Sequence, residues 1–308
     1  MKLASLPFPE LQQRLRHEGV DLFMPPYKVR LRSHLRSVAE ELHRLYADFS
    51  LLNEPGARDF HIRLFDPSLL RRLYKRQVQF ALDEFLPFKP LPFDQAHAML
   101  EWGLNWCIGN RDQTHLIMHA GVVALGNHAL VMPAESGSGK STLSAALSRE
   151  GFRLLSDELC LWQLGTRTVT PVPRPISLKN QSITLMQQRY PDAVFSRTAL
   201  DTRKGTVAHM RPDGASIEAA HRAATARLIV LPRYQAGSEI VWQQVKPEDA
   251  LTFCISQSFN YSVLGEAAFD TMLTVLRQTP VYSLRYSSLD DIIPFMKNQL
   301  QREIDACS

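Results

Sequence analysis

A chain of 308 residues with 45% hydrophobic composition is long enough to bury a sizeable core in one or two domains. Its formal net charge of +4 is small and its basic residues are scattered, so no nucleic-acid partner is expected. The sequence contains no run of about eighteen apolar residues and no long apolar core near its N-terminus, which argues against a membrane span or a signal peptide and for the cytoplasm.

The first hundred residues read as an α+β subdomain ending near Pro92. Residues 33–49 place Leu35, Val38, Leu42, Leu45 and Tyr46 at helical spacing, and residues 60–65 and 77–85 read as extended. The basic run Arg71, Arg72, Lys75 and Arg76 reads as a solvated helix or loop face rather than a docking patch for an acidic partner. Pro87, Pro90 and Pro92 then punctuate the chain before a helix over about 94–108. The expected division is therefore 1–92, an N-terminal subdomain of undefined role, and 93–308, a nucleotide-binding domain.

Two apolar runs, 115–125 and 128–132, flank the pair Gly126-Asn127, the pattern of a β-hairpin with a two-residue turn. The second run feeds A-E-S-G-S-G-K-S-T at 134–142, a Walker A pattern with Ala134 at the usual first glycine, followed by a helix over 141–149 and a stop at Gly151. Backbone N–H groups from Glu135, Ser136, Gly137, Ser138, Gly139 and Lys140 would cradle nucleotide phosphates. Lys140 would reach the β- and γ-phosphates, the Ser141 hydroxyl would hold Mg²⁺, and Ala134 and Thr142 would bound the nucleotide-binding stretch. Gly137 and Gly139 allow backbone angles and close approaches that a side chain would obstruct. The expected ligand is ATP or GTP with Mg²⁺. Because the feeding strand has an antiparallel neighbour, the sheet should be mixed rather than wholly parallel.

Asp157 and Glu158 follow Lys140 by seventeen and eighteen residues, on a strand expected over 153–162. A carboxylate there can hold the metal through water or accept the proton of an attacking hydroxyl. Phosphoryl transfer spreads negative charge over peripheral oxygens, so the basic segments carrying Arg174 and Lys179, and Arg203, Lys204 and His209, are candidates to offset it. Arg203-Lys204-Gly205 reads as a tight basic turn, within a polar stretch, 198–212, expected to be a mobile active-site loop.

Further on, 180–189 reads as helical and 228–231 as a buried strand. Helices are expected over 247–259, 264–278 and 289–304, with a strand at 281–285. Cys107, Cys160 and Cys254 lie in apolar stretches and read as core thiols, and Cys307 as an exposed tail thiol; none has metal-ligand or disulfide-framework spacing.

Over 115–161 the pieces H-A-G-V-V, G-N, A-L-V-M-P, A-E-S-G-S-G-K-S and L-L-S-D-E resemble the HPr serine kinase/phosphorylases in both the His-to-loop and the Lys-to-Asp spacing. E-W-G-L-N-W-C-I at 101–108, P-R-P-I-S-L-K-N at 173–180 and K-G-T-V-A-H-M-R-P at 204–212 narrow the resemblance to the HprK-related kinase A branch. The resemblance implies an α/β fold akin to HPr kinase and phosphoenolpyruvate carboxykinase, with a mixed sheet around the phosphate-binding loop. It implies transfer of the γ-phosphoryl group of ATP to a serine hydroxyl. Asp157 would then be the base, His119 would sit near the transferring phosphoryl, Lys179 and Lys204 would join the nucleotide site, and Ser141 with Asp157 or Glu158 would hold Mg²⁺. The chain departs from the family in Glu158, where an aspartate is usual, in Ala134, and in having no copy of the glycine-arginine-asparagine loop. The reading is an ATP- and Mg²⁺-dependent serine kinase acting on a small protein or peptide, with homo-oligomeric assembly hinted at by the family. A small-metabolite kinase and an ATP-binding sensor or ATPase without an acceptor are the alternatives.

Overall fold

The structure, a computed structural model, describes residues 1–68, 70–72 and 74–306. Leu73, inside the basic run, and Cys307 lie outside the described residues. Two compact units emerge, each built from two segments: Met1–Ile108 with Arg174–Glu218, and Gly109–Pro173 with Ala219–Ser308. This differs from a single division at residue 92. The prolines there belong to a folded connection, in which Leu91 pairs with Val78 and the Phe93 N–H donates to the Arg76 carbonyl over 3.1 Å.

The first unit opens with α1 (Phe8–Arg16), β1 (Val20–Met24), β2 (Tyr27–Ser33), α2 (Arg36–Leu45), β3 (Ser50–Leu51), β4 (Phe60–Phe65), β5 (Gln77–Leu82), β6 (Leu91–Pro92) and α3 (Ala96–Arg111), whose end runs into the second unit. The strands form one sheet in the order β3-β1-β2-β4-β5-β6. On β2 the period of two is plain: Tyr27, Val29, Leu31 and Ser33 are buried while Lys28 and Arg32 are exposed. The helix read over 33–49 is shorter, because Leu35 is extended at φ −83° and ψ 116°; Val38, Leu42 and Leu45 still form its buried face.

The second unit contributes β7 (His115–Leu125), β8 (His128–Pro133), α4 (Lys140–Arg149), β9 (Arg153–Ser156), β10 (Leu159–Gln163) and β11 (Thr168–Thr170). The chain then returns to the first unit for β12 (Ile176–Lys179), α5 (Gln181–Arg189), β13 (Ala199–Thr202), β14 (Gly205–Met210) and α6 (Gly214–Glu218). Ion pairs and hydrogen bonds join this segment to the N-terminal one, among them Arg197 with Glu40 at 2.8 Å and the Gln95 amide to the Leu200 carbonyl at 3.0 Å. The stretch 198–212 is not the loop expected from its polarity. Ala199 pairs with Val207 and Thr202 with Gly205, leaving Arg203-Lys204 as a two-residue turn, and β14 also pairs along β12. The apolar run Val207, Ala208 and Met210 is buried in this three-stranded sheet, which outweighs the polar flanks.

The chain ends in the second unit with β15 (Ala224–Tyr234), β16 (Val241–Gln244), α7 (Pro247–Ser256), α8 (Tyr261–Leu264), α9 (Glu266–Gln278), β17 (Val281–Tyr286) and α10 (Leu289–Asp305). Its sheet runs β11-β10-β7-β8-β15-β17-β16, with β9 also on β7 and β11 pairing back onto β15. The sheet is mixed, as the hairpin pattern requires: β7 and β8 are antiparallel across the turn Gly126-Asn127, whereas β8–β15 and β15–β17 are parallel. Its core gathers Met118, Ala120, Val131, Cys160 and Trp162 from the strands with Cys254 and Met272 from α7 and α9.

Helix α4 lies against β7 because Gly121 has no side chain. A Cβ there would stand 2.3 Å from Ser144 Oγ and 3.2 Å from Lys140 Cγ. Gly121→Ala should therefore push α4 off the strand and destabilise the protein by about 1–3 kcal/mol, read as a lower midpoint in denaturant unfolding.

Candidate functional site

In the second unit β8 delivers the chain at Pro133 to the loop 134–139, and α4 begins at Lys140. Gly137 and Gly139 take left-handed backbone angles, φ +93° and +89°, so the two glycines occupy positions that other residues adopt only with strain. Glu135, Ser136 and Gly137 are exposed, whereas Ala134 is buried, which makes alanine an acceptable occupant of that position. Gly139, the residue capping α4, has a second constraint: a Cβ would lie 2.9 Å from Tyr234 Cβ and 3.0 Å from the Tyr286 hydroxyl.

Lys140 is 5% exposed, and a buried ammonium needs a partner. It finds one in His119 on β7, whose Nε2 lies 2.9 Å from Lys140 Nζ. The ammonium can only donate, so Nε2 accepts and a neutral ring carries its proton on Nδ1. His119 is fixed from behind. Its N–H donates to the Gln257 carbonyl over 2.7 Å, and the Phe259 ring meets its imidazole edge-on with centroids 6.1 Å apart.

The strand read over 153–162 is broken. Asp157 and Glu158 form a bend between β9 and β10, both of which pair with β7, Ser156 opposite Val122 and Leu159 opposite His119. The Ala120 N–H donates to the Glu158 carbonyl over 3.2 Å, and the Leu159 N–H to Ser156 Oγ over 3.0 Å. Two residues on each side separate the Ser156–Val122 and Leu159–His119 pairs, so the register on β7 runs on through the bend, and the one extra residue is Leu155, between the Leu154–Val123 and Ser156–Val122 pairs. Asp157 is 4% exposed and Glu158 half-buried, at the level of β7 that carries His119. Lys140 meets His119, and Asp157 and Glu158 stand in the bend just before Leu159, the residue that pairs with His119, with Ser141 and Thr142 half-buried in the first turn of α4. Among the described residues no cluster of three His, Cys, Asp or Glu side chains could hold a metal by itself.

Sequence reasoning missed Tyr234 and Tyr286. The Tyr234 N–H donates to the Ser138 carbonyl over 2.8 Å and the Tyr286 hydroxyl to the Gly139 carbonyl over 3.3 Å. They stand opposite each other on the parallel strands β15 and β17, and no local signal marks two tyrosines so distant in sequence from the loop they hold. Burial, and then the neighbouring Tyr234, raise the Tyr286 hydroxyl above its ordinary range, so it stays a neutral donor.

Lys179 and Lys204 belong to the first unit, Lys179 at the end of β12 and Lys204 in the turn between β13 and β14. There they share surroundings with His209 of β14. Burial, then Arg174, Lys204 and Lys179, hold the His209 ring down to about 3, and burial with His209 beside it holds His97 of α3 well below the usual histidine range. A histidine held low in the folded state contributes stability above its unfolded value near 6.5 and loses it as pH falls. For His209 the loss is about 2 kcal/mol by pH 5. Thermal unfolding should show a melting temperature falling from pH 7 to 5, with a shallower slope in His209→Gln.

A mixed α/β protein with several sheets, carrying a strand-loop-helix and paired carboxylates in a bend between two strands of the same sheet, is the class that fold and site define. No protein-family model matches the chain, and no curated protein matches it. Among solved structures, the Hpr(Ser) kinase/phosphatase from Coxiella burnetii aligns with 62% of this chain and 96% of its own, at 10% identity and a TM-score of 0.25. That score is too low to bear on function, and the functional reading rests on the residues of the site.

Proposed function

We propose that the second unit binds ATP with Mg²⁺ at 134–142 and transfers the γ-phosphoryl group to a serine hydroxyl of a small protein or peptide. The observation that carries this reading is the meeting of Lys140 with His119 at 2.9 Å, on the strand whose edge pairs hold Asp157 and Glu158, at the end of a loop with two left-handed glycines. The helix start and the exposed glycine loop suit an anion, and Lys140, held by His119, supplies a positive charge beside them.

The donor set fits magnesium. Ser141, Asp157 and Glu158 offer hydroxyl and carboxylate oxygens, the hard ligands that Mg²⁺ takes together with water and phosphate. Bound there, the metal would neutralise phosphate charge and fix the phosphates in place. Asp157 is the residue to accept the acceptor hydroxyl's proton, because its buried carboxyl is held by the bend between β9 and β10 rather than by a free chain. Glu158 reaches one methylene further than an aspartate would, which suits a metal contact through water. His119 positions Lys140 and lies beside the group in transfer.

Calorimetric titration with ATP and with GTP, each with magnesium, tests the binding half. Lys140→Ala should weaken binding by about 10²-fold or more, the loss of a charge-assisted contact to phosphate. Equal binding by the wild type and Lys140→Ala would rule out the loop as the nucleotide site.

A further inference from the structure

Besides Arg58 at Nε, whose Nη2 bonds Asp21 and Glu54, the first unit buries nitrogens without a hydrogen bond on His97 at Nδ1 and Nε2, Trp102 at Nε1, Arg174 at Nε and His209 at Nε2. His97, Arg174 and His209 are 7%, 8% and 2% exposed. His97, Glu101 and Asn105 recur every four residues on one face of α3, Trp102 follows Glu101, Arg174 lies just before β12, and His209 lies on β14. The His97 and His209 rings meet edge-on with centroids 4.9 Å apart. Arg174 donates from Nη1 to Glu101 over 3.4 Å and from Nη2 to Asn105, while its Nε has no acceptor. Lys204 Nζ stands 5.7 Å from the centre of the Trp102 ring. On the β12–β14 ladder Ser177 is opposite His209 and Lys179 opposite Val207, so Lys179 shares the sheet face of His209.

Folded proteins leave few buried polar groups without a partner, and each of these calls for an explanation. The chemistry of the missing partner can be read from them. Trp102 Nε1 and Arg174 Nε can only donate, so the partner accepts. The charges acting on His209 are Arg174, Lys204 and Lys179, all positive, while the Glu101 carboxylate is engaged by Arg174 and by the Tyr46 hydroxyl at 2.5 Å and stands 3.6 Å from His97. A metal cation is disfavoured by that field, and a water would leave it uncompensated.

We propose that the first unit carries an oxyanion site of its own, in which Trp102, Arg174 and His209 bind a phosphomonoester or carboxylate group and Lys179 and Lys204 draw it in from the rim. The site goes beyond the kinase reading and does not depend on it. The three motifs at 101–108, 173–180 and 204–212 supply nearly all of its residues, a convergence that the fold produces and the phosphate loop does not require. Binding takes up a proton, because a nearby anion relieves the cationic field that keeps His209 neutral.

The test is ¹H–¹⁵N NMR of the full chain, with the Trp102 indole signal identified from Trp102→Phe, during separate titrations with inorganic phosphate and with acetate at constant ionic strength. A saturable shift of that signal is expected by about 10 mM of at least one probe, and the same shift in Lys140→Ala, whose phosphate loop is disabled. Response to phosphate alone assigns the phosphomonoester class, and response to acetate the carboxylate class. Lys179→Ala with Lys204→Ala leaves the buried cluster intact and should weaken the response by about fivefold. Absence of a saturable shift with both probes would overturn the site, as would a shift that disappears in Lys140→Ala or that the double lysine variant leaves unchanged.

Discussion

Asp157→Asn should lower phosphoryl transfer by about 10²–10⁴-fold while leaving nucleotide binding nearly intact. The asparagine keeps the size of the side chain in the bend between β9 and β10 but cannot take a proton from a hydroxyl. Binding survives because the loop 134–139 and Lys140 are carried by other elements, β8 and α4. Purified protein would be incubated with γ-labelled ATP, magnesium and host extract, beside Asp157→Asn and Lys140→Ala. A labelled protein band that both substitutions abolish is the outcome expected for a protein kinase. Label confined to small molecules would shift the assignment to a metabolite kinase, and nucleotide turnover with no Asp157-dependent acceptor would leave a sensor or ATPase. Since Asp157 and Glu158 are adjacent, Glu158→Gln separates their roles: a loss that extra magnesium restores belongs to the metal, and one that it does not belongs to the proton transfer.

Arg174→Met should cost about 3–5 kcal/mol, lowering the melting temperature by on the order of 10 °C. Its guanidinium stands against Glu101, 3% exposed, and against the Asn105 amide oxygen. Methionine fills similar volume but leaves the Glu101 carboxylate in the first unit's interior without its counter-charge. The cost is that of a stranded charge rather than the net worth of the ion pair, so adding Glu101→Gln to Arg174→Met should recover part of the loss. Chemical denaturation of the two single variants and the double variant measures this. Additive losses would mean that the pair is not coupled.

Local chemistry made much of this protein legible in its sequence. The Gly126-Asn127 turn, the run 128–133 and the glycines at 137 and 139 announce hairpin, strand, loop and helix, because each rests on neighbours in the chain: alternation, a two-residue turn and left-handed backbone angles. The same is true of 60–65 and of the helix that begins at Pro247. The sequence misled where the partner strand decides. The stretch 198–212 is polar enough for a loop, and only β12 beside it makes it a hairpin. The strand expected over 153–162 is continuous as a pattern, and only the fold shows the bend at Asp157-Glu158 and the register shift at Leu155 on β7.

What the sequence by itself determined is the list of reactive groups and the hairpin, loop and helix that carry His119 and Lys140. That Lys140 rests on His119, that Tyr234 and Tyr286 hold the loop, and that residues 174–218 fold with the N-terminal segment were decided by the tertiary structure alone. The physical reason is range. Turn chemistry, glycine conformation and hydrophobic period act over a few residues, whereas strand register and the pairing of buried charges depend on residues that come together only when the chain has folded.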